Sequence, residues 1–199
     1  MSRQEGEAAT TTEFRGAGSP VRYFAYGSNM AAARLRARVG AIRRVGVFAL
    51  QGHDLRFHKA GSDGSGKCDA FYTGAPTHRV EGLVFELTQP GLHLLDSFEG
   101  LGRGYDRARM RVESARGRQI EAFVYLATEL DTDLLPYAWY RHHVLVGAYA
   151  AGLRREYVER IERVETKPDP DRDRARREFA IHTAESVGTR PAPSWSASV

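Results

Sequence analysis

Arg107-Ala108-Arg109-Met110-Arg111-Val112 alternates without a break. The three arginines take one side, and Ala108, Met110 and Val112 take the other. Side chains of a strand point alternately to opposite faces, so this is a strand with one face buried and one in water. Gln119 to Leu126 repeats the pattern, with Ile120, Ala122, Val124 and Leu126 inward. The segment between them, Ala115-Arg116-Gly117-Arg118, has the polarity and the glycine of a hairpin turn. Two half-buried strands joined by a short turn imply an antiparallel sheet that covers a core.

Outward from that hairpin, strands dominate towards the N-terminus. Val80 to Leu87 reads as a strand, and so do Val21 to Tyr26, Val45 to Leu50 and Leu55 to His58. Thr88 caps a short helix that tolerates Pro90 in its first turn. Leu92, Leu95 and Phe98 give that helix an apolar face, and Gly100 and Gly102 end it. A second short helix follows Asn29, where Ala31, Ala32, Ala33 and Leu35 are good helix formers. Gly61 to Gly66 reads as a mobile loop. Towards the C-terminus, Tyr140, Val144, Gly147 and Ala151 recur at helical spacing, as do Leu153, Tyr157, Ile161 and Val164 after Gly152. The expected fold is α+β, built on a largely antiparallel sheet with the makings of a barrel. Residues 1–20 lack periodicity and read as a disordered leader. Residues 166–199 read as a charged and partly disordered C-terminal extension, which leaves 21–165 as the core domain.

Composition narrows the function. A chain of 199 residues, 42% hydrophobic and 27% charged, supports one filled core. No apolar run resembles a signal peptide or a membrane span, so a cytoplasmic location and no membrane partner are expected. Cys68 is the single cysteine, which excludes an intrachain disulfide and a thiolate zinc cluster. The 29 basic residues are set against 25 acidic ones, and the densest run, Asp169 to Arg177, alternates in sign. That is a solvated segment, and no nucleic-acid partner is expected.

Two motifs are tempting and fail. Gly61-Ser62-Asp63-Gly64-Ser65-Gly66-Lys67-Cys68 comes within one residue of a phosphate loop. Cys68 stands where a Mg²⁺-binding hydroxyl is needed, and Ala70 to Pro76 cannot form the helix that must follow. His142 and His143 are adjacent, so on a helix they diverge and cannot share a metal. No metal site and no cofactor are expected.

Two segments remain. Tyr26-Gly27-Ser28-Asn29 ends the first strand in a tight turn whose amides can converge on an anion, with Ser28 and Asn29 adding side-chain donors. Leu95-Asp96-Ser97-Phe98-Glu99-Gly100-Leu101-Gly102-Arg103-Gly104-Tyr105 places a carboxylate at the end of an apolar helix. Together, in this order, and with Gly82-Leu83-Val84-Phe85 and the helix from Tyr140 through Gly147, they resemble the γ-glutamylcyclotransferase family. The resemblance runs from about Val21 to Glu165. It implies a small mixed, largely antiparallel β-barrel with flanking helices and a pocket for a small-molecule γ-glutamyl substrate. By the same resemblance, Glu99 is the acid/base residue, and the turn Tyr26, Gly27, Ser28, Asn29 and Met30 holds the glutamyl group. Tyr105, Tyr125 and Tyr140 stand where the family has pocket tyrosines. Asn29 looks like the branch that acts on γ-glutamyl amino acids rather than the glutathione-specific ChaC type. Homodimerisation stays open. So do two other readings: a non-catalytic γ-glutamyl-binding protein, and a biosynthetic relative acting on a larger γ-glutamyl-protected amine.

The chemistry suits the residues. The substrate's own α-amine attacks its γ-carbonyl, 5-oxoproline closes, and the amine leaves. Intramolecular attack by a folded-back chain reaches effective molarities of about 10⁵–10⁸ M, so neither a protein nucleophile nor a metal is needed. One group must move a proton from the ammonium to the leaving nitrogen. A free Glu near pKa 4.3 and an ammonium near 8 differ by roughly 5 kcal/mol. The neighbours Phe98 and Leu101 are expected to shield Glu99 from water and narrow that gap.

Overall fold

The computed structural model describes residues 19–182. The leader expected over 1–20 and the end of the C-terminal extension therefore fall largely outside the described residues. Five strands close a barrel in the order β1-β5-β2-β6-β7: β1 (Val21–Ala25), β2 (Ile42–Gln51), β5 (Arg79–Leu87), β6 (Tyr105–Glu113) and β7 (Gln119–Ala127). Every pairing is antiparallel except the seam, where β1 meets β7 in parallel at Tyr23↔Phe123. The sheet is largely antiparallel, as the sequence patterns imply, and mixed, as the family resemblance implies.

β5 lies between β1 and β2, and its burial is nearly continuous from Val80 to Leu87. A strand with sheet on both sides and core behind it reads as an unbroken apolar run, which is why this stretch shows little alternation. β6 and β7 form the half-exposed hairpin that the alternation predicts, paired from Tyr105↔Ala127 to Glu113↔Gln119. β3 (His53–Ala60) and β4 (Gly66–Tyr72) form a separate two-stranded sheet.

The turn between β3 and β4 departs from expectation. Gly61 to Gly66 reads as mobile, yet the Asp63 carboxylate accepts from the Ser65 amide at 3.1 Å and from Lys67 Nζ at 2.7 Å. Tyr137 donates its hydroxyl to the Asp63 carbonyl at 2.8 Å, and the Gly66 amide donates to Leu135 at 3.0 Å. A Cβ on Gly66 would lie 2.2 Å from the Phe57 carbonyl oxygen, so this glycine is there for close backbone approach.

Five helices flank the barrel among the described residues. They are α1 (Ala32–Val39), α2 (Gln89–Glu99), α3 (Ala138–Ala151), α4 (Arg155–Glu162) and α5 (Arg172–Ala180). The Thr88 side chain accepts from the Gly91 amide at 3.1 Å and starts α2, and Gly100 ends it at φ +64°. Leu92 and Leu95 are buried as expected, but Phe98 is 55% exposed. α5 falls within the stretch read as extension. There Asp169 accepts from Trp139 Nε1 at 2.7 Å and from Arg174, and Glu178 meets Arg34 and His143.

α3 is the helix that seats the first motif. At Gly147 it touches the chain just after the turn, where a Cβ would come within 2.4 Å of Met30 Cβ and 2.6 Å of the Ala31 nitrogen. Only glycine fits there.

Candidate active site

β1 runs into the turn at the barrel's rim. Tyr26 closes the strand, and Ser28–Met30 forms one turn of 3₁₀ helix tied by Met30 N–H to the Gly27 carbonyl at 3.0 Å. The amides of Ser28 and Asn29, at the start of that turn, have no acceptor among the described residues. Helix starts leave such donors free as a matter of geometry. Gly27 lies against the second sheet: a Cβ there would be 3.0 Å from Cys68 Cβ and 3.4 Å from the Tyr140 hydroxyl.

The end of α2 delivers the carboxylate to this turn. Asn29 donates from Nδ2 to Glu99 Oε1 at 2.9 Å and to the Tyr23 hydroxyl at 3.1 Å. Arg38, on α1, spans both partners, donating to Asn29 Oδ1 at 3.1 Å and to Glu99 Oε1 at 3.2 Å. A ring of tyrosines walls the cavity. Tyr105 donates to the Cys68 carbonyl at 2.7 Å, and the Cys68 amide donates to the Tyr140 hydroxyl at 2.9 Å. Tyr26 donates to the Tyr125 carbonyl. Tyr125 in turn donates to Asp96 Oδ1 at 2.6 Å, and Arg107 grips both oxygens of that Asp96 at 2.8 and 2.6 Å.

Tyr26, Gly27, Ser28, Asn29, Glu99, Tyr105, Tyr125 and Tyr140 thus line one cavity, although the chain separates them by up to 114 residues (140 − 26). Met30 does not line it; its side chain is 1% exposed and packs beneath α3. Tyr23, Arg38 and Cys68 belong to the site and were not singled out from the sequence. Tyr23 lies on β1, three residues before that motif begins. Arg38 carried no signal of its own, because one arginine among several on an Ala/Arg helix is unremarkable until its partner is known.

The shielding of Glu99 differs from expectation. Phe98 and Leu101 are 55% and 45% exposed, because they sit where α2 ends and the chain turns over the surface. The Phe98 ring lies under the Arg38 guanidinium instead, 5.1 Å away. The Glu99 side chain is nonetheless only 13% exposed, walled by Tyr23, Asn29, Tyr105 and Tyr125. Burial pushes the phenols of Tyr23, Tyr26, Tyr105 and Tyr140 far above the ordinary tyrosine range, so they stay neutral. Burial likewise pushes the Cys68 thiol up to about 12, which leaves it without the thiolate a nucleophile needs.

The cavity is narrow, about 30 Å³, room for a water or two. A much larger depression of about 600 Å³ lies elsewhere on the barrel, and none of the motif residues lines it. Its arginines are each committed to a carboxylate: Arg22 to Glu86, Arg107 to Asp96, Arg109 to Glu121. Size favours that depression, but converging polar groups favour the narrow cavity, and chemistry depends on the latter. Among the described residues, no cluster of His, Cys, Asp or Glu is arranged to hold a metal, and no helix is long and apolar enough to cross a membrane.

Comparison with known proteins gives one consistent result. The sequence pattern of the family described as gamma-glutamyl cyclotransferase, AIG2-like, matches residues 23–142. The gamma-glutamylcyclotransferase of Homo sapiens is 29% identical over 151 residues, 72% of this chain and 78% of its own. That of Mus musculus is 28% identical over 156 residues, 74% of this chain and 80% of its own. A solved structure named gamma-glutamyl cyclotransferase superposes with a TM-score of 0.70 at 26% identity, over 80% of this chain and 99% of that one.

Proposed function

Because the chain belongs to the gamma-glutamyl cyclotransferase, AIG2-like family, we propose that it converts a γ-glutamyl amino acid or γ-glutamyl amine to 5-oxoproline, with Glu99 as the general acid/base. The observation that carries this reading is the 2.9 Å contact from Asn29 Nδ2 to Glu99 Oε1. It brings the carboxylate across the cavity from the turn whose Ser28 and Asn29 amides face no partner of their own.

The free amides and the Ser28 hydroxyl hold the glutamyl end by its α-carboxylate, or stabilise the oxyanion that forms on the γ-carbonyl. Held in this way, the chain folds back so that its α-amine reaches its own γ-carbonyl. Glu99, paired with Arg38, takes a proton from the α-ammonium. The amine nitrogen bonds to the γ-carbonyl carbon and loses a second proton as the ring amide forms, the amide bond to the leaving nitrogen breaks, and the departing amine takes up both protons, one of them returned by Glu99. The neutral phenols of Tyr105, Tyr125 and Tyr140 donate or accept hydrogen bonds and carry no charge that would compete with Glu99.

A three-compound assay tests the reading. The purified protein should release 5-oxoproline from a γ-glutamyl dipeptide. It should release none from the α-glutamyl isomer, whose amine would have to close a three-membered ring. The N-acetyl-γ-glutamyl compound should also be inert, because its nucleophile is blocked. Free glutamate as the product would make water the nucleophile and overturn the assignment.

A further inference from the structure

Among the described residues, five tyrosines line the cavity, and four of them have their protons placed. Tyr26 donates to the Tyr125 carbonyl, Tyr105 to the Cys68 carbonyl and Tyr125 to Asp96. Tyr140 accepts from the Cys68 amide and shares a second hydrogen bond with that residue's thiol. Tyr23 differs. Its oxygen accepts from Asn29 Nδ2 at 3.1 Å, and its own proton has no acceptor among the described residues.

The fold holds this side chain in place. Tyr23 lies on β1 at the barrel seam, opposite Phe85 of β5 on one side and Phe123 of β7 on the other. Its ring meets that of Tyr125 edge-on, with centres 5.7 Å apart. Burial, with the charge of Glu99 beside it, holds the phenol far above the ordinary tyrosine range, so the proton stays on. The Asn29 nitrogen that reaches Tyr23 also reaches Glu99 Oε1, at 2.9 Å, so phenol and carboxylate flank the same small volume. In the reaction Glu99 serves the two nitrogens that bond to the γ-carbonyl carbon. The oxygen of that carbon is a single bond away, and Tyr23 is the side-chain donor left over to meet it.

We infer that Tyr23 donates its hydroxyl to the γ-carbonyl oxygen of the substrate and stabilises the negative charge that gathers there as the ring closes. This rests on the cyclotransferase reading above and adds a catalytic residue to it. The amides of Ser28 and Asn29 are then left for the α-carboxylate, which is charged from the start. No proton leaves Tyr23. Attack by the amine moves the carbonyl π pair onto oxygen, the hydrogen bond tightens, and the pair returns as the bond to the leaving nitrogen breaks. A donor fixed in place before the charge appears needs no reorganisation when it does.

The test is Tyr23→Phe, followed by 5-oxoproline release from a γ-glutamyl dipeptide. kcat should fall by about 10²–10³, the cost of losing one such donor, with KM within about threefold of wild type. The pH dependence of kcat/KM should keep its shape. A kcat close to wild type would overturn the inference. So would a loss confined to KM or a displaced pH profile, since either means that Tyr23 only positions Asn29 and Glu99. A γ-thioamide dipeptide, whose sulfur accepts hydrogen bonds poorly, identifies the atom. The loss should shrink on that compound, and an equal loss on both would place the donor away from the carbonyl oxygen. If Tyr23→Phe fails to fold, 3-fluorotyrosine at position 23 keeps the shape and the acceptor for Asn29 while making the proton a stronger donor. kcat should then rise, and an unchanged or lower kcat counts against the inference. A wild type that makes no 5-oxoproline sinks the cyclotransferase reading itself, whereas full activity in Tyr23→Phe sinks this assignment alone.

Discussion

The two walls of the cavity are built by different physics. The turn from Gly27 to Met30 is fixed sterically, with α3 pressed on it at Gly147 and the second sheet pressed on it at Gly27. The Glu99 corner is fixed by polar side chains: Asn29 and Arg38 on the carboxylate, and Arg107 holding Asp96, which holds Tyr125. Close-packed backbone does not yield by small amounts, whereas ion pairs and hydrogen bonds re-form with other partners. On the proposed function the cavity of about 30 Å³ must widen to admit a glutamyl group, and the polar wall is the one able to move.

The comparison breaks most sharply at Glu99. Glu99→Gln keeps the shape of the polar wall and removes proton transfer, so kcat should fall by about 10²–10⁴ with the melting temperature nearly unchanged. Activity above a few per cent of wild type would place the base elsewhere. The steric wall should respond in the opposite way. Gly147→Ala forces a methyl into Met30 and the Ala31 nitrogen, an overpacking that costs about 1–3 kcal/mol, or roughly 3–10 °C of melting temperature. Activity should fall with it, because the turn moves. A variant as stable as wild type would show that α3 can slide.

Arg38→Met separates the walls more finely. It removes a charged hydrogen bond from Glu99 and Asn29 but leaves the packing of α1 in place, so kcat/KM should drop about tenfold with a smaller loss of stability than Gly147→Ala. A loss of stability larger than the loss of activity would make Arg38 a structural residue.

The smallest effect concerns the back of α1, where Arg34 contacts Glu178 of α5 and His143 of α3, with His182 against His143 and His142 nearby. Burial lowers the His143 pKa from 6.5 to about 4 and that of His182 likewise. His143 and Arg34 hold Glu178 down from 4.5 to about 2, against the opposing effect of burial. All three groups bind fewer protons folded than unfolded. Stability should therefore decline as pH falls from about 6.5 towards 4 through the histidines, and further from 4.5 towards 2 through Glu178. Melting temperatures across that range should show the decline, and Glu178→Gln should flatten its lower part.

What the sequence reveals follows the same division. β6 and β7 were legible because one face of each meets water, so alternation is written into the residue types. The turn and Glu99 were legible only as a pair, through the family resemblance, because each alone reads as an ordinary change of chain direction. β4 was not, because Gly66-Lys67-Cys68-Asp69-Ala70 carries no β-branched residue and follows a glycine-rich turn. Phe98 misled because helical spacing predicts a face but not where a neighbouring element stops covering it. The ties from Arg38 to Glu99 and from Tyr125 to Asp96 join residues 61 and 29 positions apart, and no local pattern records them.

The parallel seam at Tyr23↔Phe123 gives the molecule an order of assembly. Joining those strands closes a loop of 100 residues (123 − 23), at an entropic cost that scales as (3/2)RT ln n, about 4 kcal/mol for that length. The cost is met before the cavity exists, because Tyr26 reaches Tyr125 only across that seam. Hairpins such as β6–β7 form from neighbouring residues and need no such closure. During refolding, strand content should therefore precede catalytic competence, and a chain cut before β7 has every residue of the turn and Glu99 but no site.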